Sequence, residues 1–453
     1  MLNQAVILAG GKGTRLASRL NGLPKPLVNI AGIPLLERQM LYCKSNRITS
    51  VLLSVNHKAE QITAFCAGKD NFGLRLSIVD DGEPRGTAGA ALAALPYLDS
   101  AAEDLLILYG DTLINADPAR FHAAHTRSGA DASLFLHPND HPHDSDLVEL
   151  DDNGFVAAFH PSPHPDGAEY PNLVNAALYI LRRETLQALR ELAAGPPRIL
   201  DFAEHLFPEL LARGGRIHGY VSPEYIKDAG TPERLDQAEA DIASGRFAQG
   251  TLRLPQRAVF LDRDGVLNEE AGFIANPDHL RLLPGSAAAV RRLNKAGLLA
   301  VAVTNQAVVA HGECTENGLK AVHTRLETLL GREGAYLDRI YYCPHHPDKG
   351  FPGERPELKI VCDCRKPAVG MLRRAAQDMH INLAGSLLVG DRTSDILCAR
   401  QAGVTSILTA TGAGGRDGAY VAEPDYRAAD LAAAVDLILN LEAGARAAPR
   451  PAS

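Results

Sequence analysis

No stretch of this chain approaches the length of a membrane span. The apolar run at 4–9 is too short, and lacks the basic flank, to serve as a signal peptide. Positive charge is not in surplus: 46 lysines and arginines stand against 54 aspartates and glutamates, a net charge of −8. That balance argues against a broad nucleic-acid surface, so any phosphate must be held by local basic residues and backbone N–H groups. Cysteine is sparse, with seven among 453 residues, which excludes a disulfide scaffold. There is no long internal repeat, and no lysine stands between Lys69 and Lys227. What remains is the profile of a soluble globular protein, 46% hydrophobic and 22% charged, long enough for two or three domains. Small-molecule partners are expected, with no nucleic acid and no membrane; homo-oligomerisation is left open.

Apolar β-rich runs alternate with helical patterns nearly throughout. Strands are expected at 4–9, 51–55, 74–79, 104–109, 132–136, 174–181 and 216–221, with helices at 34–46, 58–67, 87–95, 184–193, 200–212 and 232–243. A second series begins near Arg257, with strands at 257–262, 299–304, 338–342, 386–390 and 404–408 and helices at 285–296, 315–330, 367–379, 394–402 and 426–440. The alternation argues for βαβ units. The expected fold class is α/β, as two doubly wound, Rossmann-like domains at 1–243 and 257–442, joined by a linker at 244–256 that contains Gly245, Gly250 and Pro255. Residues 443–453 are Ala/Pro/Arg-rich and read as a flexible tail. The proline-rich stretch 160–171 reads as a surface loop of the first domain, over its pocket.

Two signatures stand at the ends of expected strands. In Leu8-Ala9-Gly10-Gly11-Lys12-Gly13-Thr14-Arg15-Leu16, the glycines Gly10, Gly11 and Gly13 let the backbone turn tightly and approach an anion. Arg15, and Lys25 in Pro24-Lys25-Pro26-Leu27, add positive charge and are expected to be catalytic. The whole string, with Thr14-Arg15 and the later Pro-Lys-Pro, resembles the sugar-1-phosphate nucleotidylyltransferase family over 1–243. The resemblance implies that Gly10, Gly11, Gly13 and Thr14 bind the nucleotide. It also makes Gly86-Thr87 a turn contacting base and sugar, and Asn175 a sugar contact. Asp111, in Tyr109-Gly110-Asp111, and Asp228, in Lys227-Asp228-Ala229-Gly230, would share a Mg²⁺ ion while the sugar phosphate attacks the α-phosphorus. Two positions depart from the family: the lysine that usually holds the sugar phosphate is missing, and Ala177 stands where glycine is common. His160 and Lys227 are the candidates to replace that lysine.

The second signature, Phe260-Leu261-Asp262-Arg263-Asp264-Gly265-Val266-Leu267, sets two aspartates two residues apart. A carboxylate can attack phosphorus when a metal screens the incoming charge, and a second can protonate the leaving oxygen. A bare pair of this kind is commonly an ordinary loop. Here it is followed by Thr304-Asn305-Gln306, by Lys366 in Cys364-Arg365-Lys366-Pro367, and by Gly390-Asp391-Arg392-Thr393-Ser394-Asp395. The ordered set resembles the haloacid dehalogenase superfamily of phosphatases. By that resemblance Asp262 is the nucleophile and Asp264 the acid/base. Thr304 and Lys366 hold the phosphoryl oxygens, with Asn305 and Arg392 beside them as substrate-binding residues. Asp262, Asp391 and the Asp264 carbonyl hold Mg²⁺.

Cys343-Pro344-His345 and Cys362-Asp363-Cys364 supply three thiolates and an imidazole, the donor set of a closed, structural Zn²⁺ site. His346 is an adjacent competitor. Such a cluster points to a reducing cytoplasm. The zinc loop makes the pattern, over about 255–412, look like the group that includes heptose bisphosphate and histidinol phosphatases. Arg365 is then a candidate for a second, distal phosphate. A phosphatase fused to an enzyme that needs a sugar 1-phosphate implies two steps of nucleotide-activated heptose synthesis. The 7-phosphate of a heptose 1,7-bisphosphate is removed, and a nucleotidyl group from GTP is then joined to the 1-phosphate. Mannose 1-phosphate, ATP, histidinol phosphate and a non-catalytic N-terminal half remain open alternatives.

Overall fold

The computed structural model describes residues 2–194 and 198–447. The chain divides into two compact units. The first comprises Met1–His137, Val148–Pro161 and Asn175–Thr251; the second comprises Pro138–Leu147, Ser162–Val174 and Leu252–Ser453. The break after Thr251 lies within 244–256, where Arg246–Gln249 forms a single helical turn.

In the first unit a nine-stranded sheet is described. Its main path runs Val156–His160, Leu147–Leu150, Val174–Arg182, Asp104–Tyr109, Gln4–Leu8, Ser50–Val55, Arg75–Asp80. The last four of these pair in parallel, and Val174–Arg182 runs antiparallel to Asp104–Tyr109. Ala5, Val6 and Ile7 are fully buried, as are Leu105 to Leu108, because helices cover both faces of the parallel part. Leu8 stands beside Tyr109 in register, so the glycine-rich loop and Gly110-Asp111 emerge side by side. Chain order reverses direction between these two strands, and ligands of open α/β sheets bind at such a reversal. A two-stranded ribbon, Thr112–Ile114 with Ile226–Asp228, follows directly.

The second unit has six parallel strands, ordered Arg339–Cys343, Leu299–Asn305, Ala258–Leu261, Leu387–Gly390, Thr405–Thr409, Tyr426–Ala428. In chain order this is 3-2-1-4-5-6, with the reversal between Ala258–Leu261 and Leu387–Gly390. Asp262 follows the first of those strands and Asp391 the second.

Some elements differ from the sequence reading. The helix expected over 426–440 begins at Leu431, because Tyr426–Ala428 joins the sheet edge beside Ile407–Thr409. The helix runs to Ala447, so the segment read as a flexible tail starts inside it; 448–453 lie outside the described residues. The proline-rich stretch belongs mostly to the second unit. An Arg325–Glu169 ion pair and a 3.3 Å bond from the Asn172 amide to Glu327 Oε2 attach it there. Among the described residues no helix is long and apolar enough to cross a membrane.

Candidate active sites

In the first unit the backbone brings the two acidic positions together. The Gly110 amide donates to Leu8 O (2.8 Å), and a Cβ on Gly110 would lie 2.9 Å from Ala9 Cα. Only glycine lets Asp111 approach the loop this closely. The Asp111 carbonyl accepts the Ala229 amide (2.9 Å), and Asp228 stands opposite Thr112 in the ribbon. Lys25 pairs with Asp111, and Asp228 with Arg234. Gly13 has φ +67°, and a Cβ there would meet Lys25 Cβ at 2.9 Å, so the loop rests on the lysine stem. A Cβ on Gly230 would meet Asp228 Oδ1 at 2.6 Å and Arg15 Nη2 at 3.4 Å, which puts Arg15 at the same place. Arg15, Lys25, Asp111 and Asp228 therefore converge. Asp228 Oδ1 is buried with no hydrogen-bond partner, an acceptor that a hard cation would satisfy.

Gly86 and Thr87 open the helix Gly86–Ala94, held by the segment that follows residue 197. Gly86 has φ +73°, and a Cβ on it would lie 2.3 Å from Leu200 O. Leu200 O also takes the amides of Ala88 (2.9 Å) and Gly89 (3.2 Å). The Thr87 hydroxyl donates to Asp201 (2.7 Å) and accepts from the Phe202 amide (3.2 Å), so it is engaged within the fold. Asn175 Oδ1 accepts the Ala177 amide (3.3 Å). Neither candidate for the missing lysine is brought into the Asp111–Asp228 cluster. Lys227 alternates with Asp228 along its strand and faces Asp241 (3.6 Å), while His160 pairs with Glu149 (3.2 Å).

The second unit buries a denser cluster. Asp262, Asp391, Asp395, Thr304 and Lys366 are all buried. Lys366 Nζ lies 2.9 Å from Asp262 Oδ1 and 2.6 Å from Asp395 Oδ1, and donates to Val303 O (2.8 Å). Burial alone would lower the ammonium pKa, but Asp262 and Asp395 outweigh it and hold it above its usual value. Burial pushes the Asp262 carboxyl up to about 8, against the pull of Lys366. It pushes Asp391 up to about 7, with Asp395 adding repulsion. One ammonium thus faces three carboxylates whose oxygens lie within 4.8 Å of one another. Asp391 Oδ2 accepts the Ala413 amide (2.6 Å), whereas its Oδ1 is buried and unpartnered. Gly265 and Gly412 cradle this carboxylate, since a Cβ on either would lie 2.5 or 2.2 Å from Oδ2. Asp395 is engaged by Lys366 and by the Arg392 amide (3.0 Å), leaving Asp262 and Asp391 as the oxygen donors for a hard cation.

Around this cluster, Asn305 exchanges bonds with the backbone of Lys366 (3.0 and 2.9 Å), which aims the lysine. Thr304 Oγ1 accepts from Gln306 (2.8 Å), Arg392 reaches Glu270 (3.1 Å) and Arg365 reaches His345 O (3.1 Å). The Asp264 carboxylate is turned to Arg263, Asn268 and Gln306 and is not part of the three-aspartate cluster.

The cysteine cluster closes as a compact set: Sγ–Sγ separations are 3.1, 3.3 and 3.5 Å, and His345 Nδ1 lies 3.3 Å from Cys364 Sγ. Bonds from Cys343, Cys362 and His345 hold the Cys364 thiol down to about 5, despite burial. Three sulfurs and one imidazole nitrogen fit a tetrahedral thiophilic metal. His346 lies outside the set; its Nδ1 accepts the Asp348 amide (3.2 Å) and its ring meets His311.

Comparisons with known proteins match the two halves of the chain separately. A family model described as "Nucleotidyl transferase" matches residues 4–245, just over half of the chain, and a HAD-hydrolase-like model matches 363–434. The D-glycero-D-manno-heptose-1,7-bisphosphate 7-phosphatase of Thermosynechococcus vestitus is 45% identical over 196 residues, 41% of this chain and 96% of that protein. The chain belongs to the nucleotidyl transferase family in its N-terminal half and to the heptose bisphosphate phosphatase family in its C-terminal half. Among solved structures, HddC from Yersinia pseudotuberculosis with GMP-PN is 25% identical, with TM-score 0.45, 53% of this chain and all of that chain covered. D,D-heptose 1,7-bisphosphate phosphatase from B. bronchiseptica, with magnesium and phosphate, is 35% identical with TM-score 0.37, covering 41% and 99%.

For the nucleotidyl transferase half, sequence reasoning missed a polar group beside the glycine-rich loop. Ser54 Oγ donates to Asp81 Oδ2 (2.6 Å) at the ends of adjacent strands, and burial holds the Asp81 carboxyl above its usual range. Asp81 Oδ1 and Asn56 Nδ2 are buried and unpartnered. Their signal was positional: each follows a parallel strand on the side where ligands bind. For the phosphatase half it missed Arg263, Asn268 and Gln306 as partners of Asp264, though all lie within the motifs quoted above or one residue beyond them.

Proposed function

We propose that the chain carries out two successive steps on one sugar: removal of the 7-phosphate from D-glycero-D-manno-heptose 1,7-bisphosphate, then transfer of GMP from GTP to the heptose 1-phosphate, with release of pyrophosphate. The observation that carries this reading is the Asp262–Lys366–Asp391 cluster at one sheet reversal, in a chain whose other sheet reversal gathers Arg15, Lys25, Asp111 and Asp228.

At the phosphatase site an Asp262 oxygen attacks phosphorus and the bond to the sugar oxygen breaks, that oxygen taking a proton from Asp264. Asp264 then takes a proton from water, whose oxygen displaces Asp262 and frees inorganic phosphate. Lys366 and Thr304 hold the phosphoryl oxygens, and Asn305 aims Lys366. At the transferase site Gly10, Gly11, Gly13, Thr14, Arg15 and Lys25 hold the triphosphate. A sugar-phosphate oxygen attacks the α-phosphorus, and no covalent bond to the enzyme is made. Held by Asp262, Asp391 and the Asp264 carbonyl at one site and by Asp111 and Asp228 at the other, Mg²⁺ would neutralise phosphate charge and let anions meet. Zn²⁺ at Cys343, His345, Cys362 and Cys364 would fasten the loop that delivers Arg365, a contact for the distal phosphate, and Lys366.

Guanine is favoured by Asp81 and Asn56. A carboxylate accepts from the N1–H and 2-amino group of guanine, and an amide N–H donates to its O6, whereas adenine turns a ring-nitrogen acceptor to the same edge. Incubation with heptose 1,7-bisphosphate, GTP and Mg²⁺, with products identified by mass, should yield phosphate, pyrophosphate and GDP-heptose. Phosphate without pyrophosphate would instead support a non-catalytic N-terminal module, the reading that the missing lysine favours.

A further inference from the structure

Arg263 lies between the two aspartates of the phosphatase motif and is fully buried, an unusual place for a guanidinium. Its Nε donates to Asp264 Oδ1 (3.1 Å), and its Nη2 to both Asp264 oxygens (2.9 and 2.9 Å). Nη1 is buried with no partner. The backbone amide of the same residue donates to Asp262 Oδ1 (2.7 Å), and its carbonyl accepts the amides of Leu267 (2.8 Å) and Asn268 (3.0 Å), closing the turn. Asn268 Nδ2 (2.9 Å) and Gln306 Nε2 (2.8 Å) complete a ring of donors on Asp264. The charge also reaches neighbouring groups: His323, held down to about 3 first by burial and then by Arg263, stays neutral beside it. A buried charge costs stability unless it is paired and hydrogen-bonded, and the pairing of this one falls on Asp264.

We infer that Arg263 is a positioning residue that fixes the place and plane of the Asp264 carboxylate, the group that takes a proton from water in the second half of the phosphatase reaction. This rests on the phosphatase reading above. Two-pronged guanidinium–carboxylate pairing sets both the place and the plane of the carboxylate, which Asn268 and Gln306, one bond each, do not. The role is separable from nucleophilic attack. Attack by Asp262 on a phosphate ester of a poor base needs no proton from Asp264, whereas hydrolysis of the aspartyl phosphate always needs Asp264 to accept one.

The test uses the full chain and p-nitrophenyl phosphate with Mg²⁺ in rapid-mixing experiments. Nitrophenolate leaves unprotonated, so the first half proceeds without Asp264, and the second half becomes limiting when Asp264 is misplaced. Arg263→Met should release nitrophenolate in a burst approaching one per chain, then turn over at least about tenfold more slowly than the parent, a modest share of what acid–base catalysis supplies. Arg263→Lys, which keeps the charge but loses the fork, should show the same burst with an intermediate steady rate. A steady rate within about twofold of the parent in Arg263→Lys and Arg263→Met would overturn the inference, as would loss of burst and turnover together in a folded Arg263→Lys protein. If Arg263→Met is insoluble, Arg263→Lys decides alone. Asp262→Asn is the control on the underlying reading: if it still turns over, the phosphatase assignment fails, whereas its silence beside normal Arg263 variants sinks only the inference.

Discussion

Individual side chains in the phosphatase half are held at odds with water. Asp262 and Asp391 have carboxyls raised to about 8 and about 7 by burial, so folding disfavours their charged forms. A raised carboxyl supports the fold most fully below its ordinary value near 4, and that support is lost as pH climbs through 7 and 8. Metal-free protein should therefore melt at a lower temperature at pH 9 than at pH 6, and Mg²⁺ should narrow the difference. Asp391→Asn should abolish most of the narrowing, as followed by thermal unfolding with and without Mg²⁺. In the transferase half, Asp81→Asn should lower kcat/KM for GTP by about tenfold to a hundredfold and leave that for ATP nearly unchanged, the size expected for a charge-assisted bond to a base edge. Equal losses for both nucleotides would count against guanine reading. Ala177, already conspicuous in the sequence, is in the left-handed region at φ +55°, within the strand that carries Asn175. Glycine there should raise stability by up to about 1 kcal/mol, because relief of strain exceeds the added freedom of the unfolded chain.

At the scale of elements, the loops proposed to carry chemistry were legible because each follows a buried parallel strand with an unbroken apolar run, such as Val259-Phe260-Leu261 before Asp262. Elements with weaker burial were not. Tyr426–Ala428 is an edge strand with two exposed residues, so its pattern could not be told from the helix that follows. The helix Pro118–Ser128 has a largely polar sequence and escaped a search for apolar periodicity, although Asp117 caps it through the Ala119 amide (3.0 Å) with proline in the first turn. The cysteine cluster was legible from donor type and spacing alone, since few other structures need three thiols and a histidine so placed. The loop 347–361 contains one short 3₁₀ turn, Pro356–Leu358, as its regular structure, and exposes Val361 and Ile360. Cys364→Ser should reduce bound zinc from about one ion per chain and lower phosphatase activity by at least about tenfold, through the adjoining Arg365 and Lys366. Nucleotidyl transfer from supplied heptose 1-phosphate should persist. Full phosphatase activity in a metal-free variant would remove the loop-fastening role.

Across the whole molecule, the net charge of −8 means that neither site can draw anionic reactants by a general positive field. Each must gather positive charge locally, and each does so at the reversal of its own sheet, where carboxylates stand beside one or two basic side chains. Sites built separately in this way make the order of chemistry independent of the order of the chain: in the proposed function the phosphatase half comes second in sequence but acts first, on a bisphosphate. Substrate bypass tests this independence. With heptose 1,7-bisphosphate and GTP, Asp262→Asn should form no GDP-heptose; with heptose 1-phosphate and GTP it should match the parent. Asp111→Ala should release phosphate from the bisphosphate at the parental rate and accumulate heptose 1-phosphate, with no pyrophosphate formed. If either substitution silenced both reactions in a folded protein, the two constellations would have to be parts of one catalytic cycle. The separate carboxylate clusters would then need a different explanation, because neither reaction as written uses an acid from the other.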